Sequence, residues 1–456
     1  MYVSSTALNI LPPSGVAEAI RTMRDTGISL YVHGGPGISK SAVALQIADE
    51  AGIAFIDFRL SQVAPEDIRG VPMPGEVDRM KGIIWIPPLV FPRDLNFEFT
   101  ASLDMSGIET FRFFNPRGNN GIHYCTSPEI TVRSPNPSLD VIVEKRLDGF
   151  TVRLSHCGEP CAGSVLCRIT GHVKAVFALE EFNSAPPSVM AAAYQLILDR
   201  RIGDYVVPSG VMLLAMGNRD TDHGVTFQLA KPVANRFIHV EMEFNWNDWF
   251  AWAGDHAIHP EVLGYLSKWP SKTYDFDPDS PHLSFATPRS WEFVSRIIDR
   301  TVQPSAAVAR ALICGALGDA IGAEFVQHRK FMADMPNIAD ILSGTNTAFR
   351  PSNPQFMMQI AYSICVQICY ELRERAKLVE RTYRGATRDF NAFPARIEWL
   401  KQVNYAFGYA IDNFRPDVTI MAVRLCLAVH KLNVSPARVP RLREFLDIYG
   451  DVINPT

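Results

Sequence analysis

Short apolar runs and stretches of helical spacing take turns along the first part of the chain. Ile28 to Val32, Ile53 to Arg59, Val173 to Glu180, Val211 to Met216 and Phe237 to Glu241 are apolar runs of strand length. Val16 to Asp25, Ala42 to Ala51 and Pro187 to Arg200 carry the period of helices. Strands alternating with helices predict a parallel sheet covered by helices on both faces, an α/β fold.

The texture changes between Asp94 and His172. Glu129 to Arg133, Leu139 to Glu144 and Phe150 to Leu154 alternate apolar and polar positions, and clusters of Pro, Gly and Asn separate them. This predicts a small antiparallel module inserted between two strands of the larger sheet. After about Trp246 the helical period dominates. It runs over Asp248 to Trp269, Trp291 to Arg300, Ala306 to Arg329, Phe356 to Leu378, Val418 to Leu432 and Leu442 to Tyr449.

Candidate chemistry is densest at Gly34-Gly35-Pro36-Gly37-Ile38-Ser39-Lys40-Ser41, between the first apolar strand and a helix. The backbone N–H groups of such a turn face an anion, and the helix N-terminus adds partial positive charge. Lys40 would reach the outer phosphates and Ser41 would place its hydroxyl on a magnesium ion. The motif has Ser39 where a second Gly normally stands; Gly has no Cβ to resist a positive φ or close phosphate approach. An ordinary Gly-Pro turn is the plain alternative.

Four further positions fall at strand or helix ends. Val176 to Glu181 is an apolar strand ending in two carboxylates, where Glu180 would hold a metal's water shell and Glu181 would orient an attacking water. Asn218, after the next strand, would hydrogen-bond the γ-phosphate or that water. Arg236 closes a helix before the fifth strand and suits an arginine finger facing a neighbouring subunit. Arg289 sits in the first turn of a helix begun by Thr287 and Pro288, against the dipole preference there, and could reach a γ-phosphate. Each has a plainer account: a solvated strand end, a turn Asn, and two surface arginines.

In this order the features resemble AAA+ ATPases, and the finer wording resembles the MoxR branch, in a group of phage and bacterial proteins. Asp57 to Gln62, Asp67 to Pro72, Trp85 to Pro88, Phe182 to Val189, Leu198 to Tyr205 and Ala286 to Glu292 carry that likeness. It covers residues 15–93 and 173–345 and does not cover the insertion. The resemblance implies an AAA+ P-loop core at 1–93 and 173–245, a β-rich insertion at 94–172, a helical lid at 246–345 and a helical C-terminal extension at 346–456. It implies ATP and Mg2+ as ligands, Gly34 to Ser41 as the phosphate loop, and Ser41 and Glu180 at the metal. Glu181 becomes the catalytic acid, Asn218 and Arg289 the first and second sensors, and Arg236 the finger in trans. It also implies a homo-oligomeric ring, usually hexameric, remodelling a protein substrate together with a von Willebrand A-domain partner. Glu180 replaces the Asp expected at the metal, so with Ser39 it points to slow hydrolysis rather than lost binding.

The same likeness puts the hairpin Arg201 to Val211 at a ring pore, with Tyr205 either gripping substrate or packed as an ordinary hairpin aromatic. Two other functional classes stay open: a nucleotide-gated scaffold with weak hydrolysis, and a nucleic-acid motor using Arg112, Arg117, Arg133, Lys145, Arg146 and Arg153. The net charge of −4 over 456 residues gives no global attraction to nucleic acid. An apolar content of 47% marks a globular chain. The start lacks a signal-peptide pattern and no apolar run reaches membrane-spanning length, so a cytoplasmic protein with reduced thiols and no membrane partner is expected. Of eight Cys, Cys125, Cys157, Cys161 and Cys167 crowd the insertion near His123 and His156. Their spacing fits free thiols better than a zinc site.

Overall fold

The computed structural model describes residues 9–453 apart from 78–79, 89, 113–128, 147–148, 223–225, 257, 300–303, 333–334, 352–356 and 384–389. Arg117, His123 and Cys125 therefore lie outside the described residues. The chain divides into two compact units, Met1–Glu243 and Phe244–Thr456.

The first unit is built on a six-stranded parallel sheet. Its strands are β1 (Asn9–Leu11), β2 (Ser29–Gly34), β3 (Ala54–Arg59), β4 (Ala175–Glu180), β5 (Val211–Gly217) and β6 (Phe237–Met242), in the spatial order β1-β6-β2-β5-β4-β3. The central strands β4 and β5 are buried along their whole lengths, as their unbroken apolar runs require. Edge strand β3 alternates instead, burying Ile56 and Phe58 and turning Asp57 and Arg59 outward. Helices α1 (Pro13–Met23), α2 (Lys40–Glu50), α3 (Pro187–Asp199) and α4 (Lys231–Ala234) fill the crossovers. The core sets Tyr31, Phe177, Phe182 and Phe237 among the aliphatic residues of the sheet and α3. Parallel strands bring all their carboxyl ends to one edge, so Gly34, Glu180 and Gly217 end side by side.

Between β3 and β4 the chain makes two excursions. The first is a hairpin, Val71–Val77 with Met80–Ile86. Gly70 at its base has φ +88°, and a Cβ there would lie 2.2 Å from the Ile86 carbonyl oxygen. The second is the antiparallel module. Leu95–Leu103, Gly163–Gly171 and Glu129–Arg133 form one sheet, and Ile108–Arg112, Gly149–His156, Asp140–Arg146 and Glu159–Pro160 form another. Both feed one small core of Val152, Leu154, Val165, Cys167 and Ile169. The first and last strands are partners, with Leu95 opposite Gly171. Asp94 fastens this root: its Oδ1 accepts the Val173 N–H at 2.9 Å, and its Oδ2 lies 3.2 Å from His172 Nδ1.

Two expectations meet the module and the hairpin near it. Cys167 is buried in the module's core and Cys161 packs against it, while Arg153 pairs with Glu144 at 3.1 Å. Tyr205 does not project as a gripping residue would. It is buried, its hydroxyl donates to the Pro92 carbonyl at 2.7 Å, and its ring stands 5.1 Å from Phe91. The hairpin does form, and Arg201, Asp204 and Val206 are exposed on it.

The second unit is helical. One apolar core draws on residues from both the expected lid (246–345) and the expected extension (346–456), with Tyr265, Trp291 and Phe325 in the same cluster as Ile364, Trp399, Val423 and Leu442. The run expected over Asp248 to Trp269 is two helices, Trp246–Asp255 and Pro260–Lys268, because Pro260 opens a new helix. Ala306 to Arg329 likewise breaks at Gly318, whose φ is +84°. Cys365, Cys369 and Cys426 are buried free thiols in this core. Among the described residues, no helix is long and apolar enough to cross a membrane.

Candidate functional site

The sequence leaves β2 at Gly34 and enters α2 at Lys40, and the turn between them has an unusual backbone. Gly37 has φ +74° and Ser39 φ +71°, so both lie in the left-handed region. A serine there costs roughly 1–2 kcal/mol relative to an ordinary conformation. The local geometry usually supplied by Gly is therefore kept with Ser39 in its place. Gly34 is needed for space, since a Cβ would sit 2.7 Å from Ile38 Cδ1 and 2.8 Å from the Met242 carbonyl oxygen.

Lys40 is folded back over this loop. Its Nζ donates to the carbonyls of Gly34 at 2.8 Å and Gly35 at 3.0 Å, and to Asn218 Oδ1 at 3.2 Å. The ends of β2 and β5 are thus bridged by one ammonium. Asn218 is itself tethered, because Asn183 Nδ2 donates to its carbonyl oxygen at 2.8 Å. Gly217 makes room for this contact: a Cβ there would fall 2.2 Å from both Asn183 Oδ1 and Tyr31 Oη.

The two carboxylates after β4 have different surroundings. Glu180 is buried, and burial raises its pKa above the ordinary 4.5, with Asp57 adding to the rise. A hydrogen bond from Ser41 and the charges of Lys40 and Arg59 act the other way. One oxygen, Oε1, is buried without a hydrogen-bond partner. A hydroxyl and a carboxylate with an unsatisfied oxygen, side by side, are the hard oxygen donors a magnesium ion takes. The residues present therefore fit such an ion, with Ser41 and Glu180 as its holders. Glu181 sits in the left-handed region at φ 55°, which turns the chain out of the strand. Ser61, just past β3, donates a hydrogen bond to Glu181 Oε2.

The two arginines belong to different units of the chain. Arg236 is exposed in the turn that follows α4, where its N–H donates to the Val233 carbonyl at 3.0 Å. Arg289 is exposed in the first turn of helix α5 (Pro288–Ile298), in the second unit. Thr287 caps that helix by accepting the Ser290 N–H at 3.1 Å.

Three participants were not singled out from sequence. Ser61 and Asn183 fall within stretches that carry the family likeness, yet their contacts join residues far apart in the chain. His33 is the third: its Nε2 lies 2.9 Å from His239 Nδ1, a pairing that needs the β2–β6 register to be seen.

No family model matches the chain, and no curated protein matches it. Among solved structures, it is similar to a Cytophaga hutchinsonii protein provisionally named as an ATPase, at 10% identity and TM-score 0.28, covering 95% of this chain and 90% of that one. It is also similar to a point mutant of RuvB from Thermotoga maritima, at 12% identity and TM-score 0.26, covering 86% of each chain. At such TM-scores neither likeness bears on the fold or the chemistry, which rest on the residues above.

Proposed function

We propose that the protein is a nucleoside triphosphatase of the AAA+ class, of the MoxR kind, that hydrolyses ATP with Mg2+ at the interfaces of a homo-oligomeric ring. One observation carries this reading: Lys40, Ser41, Glu180, Glu181 and Asn218 meet at one edge of a parallel sheet, around a turn with left-handed Gly37 and Ser39. Backbone N–H groups of the turn and the Lys40 ammonium would bind the phosphates. Ser41 and Glu180 would hold magnesium, which supplies charge neutralisation at the β- and γ-oxygens. Glu181 would orient the attacking water once its carboxylate leaves Ser61, and Asn218 would hydrogen-bond the γ-phosphate or that water.

Arg236 would act on the neighbour's nucleotide, as its exposure permits, and Arg289 would serve from the helical unit. A hexamer, remodelling of a protein substrate and a von Willebrand A-domain partner belong to the same proposal. A nucleotide-gated scaffold with weak turnover is the second reading, favoured by the hydrogen bond that occupies Glu181.

The test is steady-state phosphate release with Mg-ATP. Glu181→Gln is expected to bind ATP and lose turnover by about a hundredfold or more. Arg236→Ala is expected to do the same, since arginine fingers contribute about 10³-fold. Mixing the two variants should restore part of the rate, because one interface type then has both groups intact. Parental turnover in Glu181→Gln would leave the scaffold reading, and no recovery on mixing would remove the site in trans.

A further inference from the structure

His33 and His239 are neighbours on β2 and β6, stacked with ring centroids 5.2 Å apart and planes 23° from parallel. His33 Nε2 lies 2.9 Å from His239 Nδ1, and His239 Nε2 lies 2.7 Å from the Ala234 carbonyl oxygen. A carbonyl can only accept, so His239 Nε2 carries a hydrogen. A neutral His239 then presents a bare Nδ1, and His33 Nε2–H donates to it. In that tautomer the hydrogen bonds run in one direction, from His33 through His239 to Ala234.

Both ends of this chain are informative. His33 immediately precedes Gly34, whose carbonyl holds the Lys40 ammonium. Ala234 is the last residue of α4, and the turn beyond it is tight: the Asn235 N–H donates to the Lys231 carbonyl at 3.1 Å and the Arg236 N–H to that of Val233 at 3.0 Å. Burial, with His239 and Lys40 nearby, depresses the His33 pKa to about 3, so the ring is held neutral at ordinary pH. Two strands could be packed here with apolar side chains; a directional pair of imidazoles does something packing does not require.

We propose that His33 and His239 are positioning residues for Arg236, a two-ring bridge from the strand that enters the phosphate loop to the turn that carries the arginine finger. This rests on the reading of Arg236 given above. A triphosphate would draw the Lys40 ammonium away from the Gly34 and Gly35 carbonyls. The Gly34–Gly35 peptide, one residue beyond His33, then loses its cation, and the bridge carries the adjustment to the Arg236 turn. Nucleotide in one subunit thereby sets the finger that the same subunit offers to its neighbour.

The experiment compares His239→Phe, His239→Gln, Arg236→Ala and the double variant His239→Phe/Arg236→Ala. Mg-ATP affinity is read by calorimetry and turnover by phosphate release. His239→Phe keeps a stacked ring but neither nitrogen. It is expected to hold affinity within about threefold and to lose turnover by about tenfold or more, since a small misplacement of a reacting group is costly. His239→Gln keeps a donor for the Ala234 carbonyl and should recover much of that loss. In the Arg236→Ala background the His239 change should cost nothing further, because residues acting through one another are non-additive. A purely structural role would multiply the two losses, and that result, or parental turnover in His239→Phe, overturns the proposal while leaving the ATPase reading standing. Parental turnover in Arg236→Ala removes the finger, and the bridge's function with it. Should His239→Phe fold poorly, the same cycle with His33→Phe breaks the bridge at its other ring and is read in the same way.

Discussion

Lys40 Nζ and Asn218 Oδ1 lie 3.2 Å apart although 178 positions separate them in the chain. The ammonium lies between the Gly34–Ser41 turn and the end of β5, the place the proposed reading gives to a γ-phosphate. Lys40→Ala should weaken Mg-ATP binding by about tenfold or more, since a charge-assisted hydrogen bond contributes roughly 1.5–3 kcal/mol. Calorimetric titration checks this, and unchanged affinity would remove the phosphate-loop assignment.

Ser61 occupies the carboxylate that the proposed chemistry requires. Removing the hydroxyl in Ser61→Ala frees Glu181 without touching the phosphate loop. Basal phosphate release should rise about two- to fivefold while Mg-ATP affinity stays within about twofold, an expected barrier change of about 0.4–1 kcal/mol. A fall in basal release would mean that Ser61 orients Glu181 productively rather than holding it back.

Glu180 predicts a pH-dependent stability. Its folded pKa is raised, chiefly by burial, above the ordinary 4.5. Below that ordinary value the side chain is neutral in folded and unfolded chains alike. As pH rises through the raised folded value, the ionised carboxylate is more costly in the folded state, and stability falls. Glu180→Gln, without metal or nucleotide, should therefore melt higher than the parent at neutral pH, with the difference vanishing below the ordinary value. Calorimetric melting across pH reads it. With magnesium and ATP present the order should reverse, because the parent alone supplies the carboxylate.

Ser39 bears on the missing glycine. Ser39→Gly removes a left-handed strain of roughly 1–2 kcal/mol. It also adds unfolded-state freedom that costs roughly 0.5–1 kcal/mol. Net stability should stay within about 1 kcal/mol of the parent, and ATP affinity should not fall. Ser39→Val should lose more, because a β-branched residue resists a positive φ. Urea denaturation of the three proteins decides; a large loss in the Gly variant would show that the Ser39 hydroxyl contributes directly.

The sheet was legible because its strands are uninterrupted apolar runs beside helical periods, and in the module Glu129–Arg133 reads from end to end as the alternation predicts. The Val71–Val77 hairpin was not, since Pro72 and Pro74 remove ladder donors and disguise a strand. Pro260 and Gly318 interrupt helices whose hydrophobic period runs straight through them, so period alone joined what backbone chemistry divides. Tyr205 shows the limit for single residues: a hairpin aromatic looks alike whether it projects or, as here, bonds to Pro92 across the fold. The carboxylates and Asn218 could be named because each lies at or just past a strand end on the same sheet edge, and Lys40 because it opens the helix after the glycine-rich turn. Ser61 and the histidine pair could not, because their meaning depends on which strands are neighbours and in what register.

The module's paired root gives a further expectation. Replacing Asn96 to Thr170 with a short Gly-Ser linker should leave Mg-ATP binding intact, because Leu95 and Gly171 already face each other. Pull-down of a protein partner should fail with the same variant if the module selects that partner. A linker variant that does not fold would make the module part of the core.

That root also bears on the order in which the chain acquires its shape. β3 and β4 are adjacent in the sheet, yet the whole hairpin and module are synthesised between them. Once Leu95 to Leu103 has zipped onto Gly163 to Gly171, the open length between β3 and β4 shrinks about threefold, which lowers the entropy of closing that loop by about 1 kcal/mol. A module that folds on its own as it emerges would therefore deliver β4 to β3 over a shortened tether, acting as a built-in assembly aid for the sheet from which it grows.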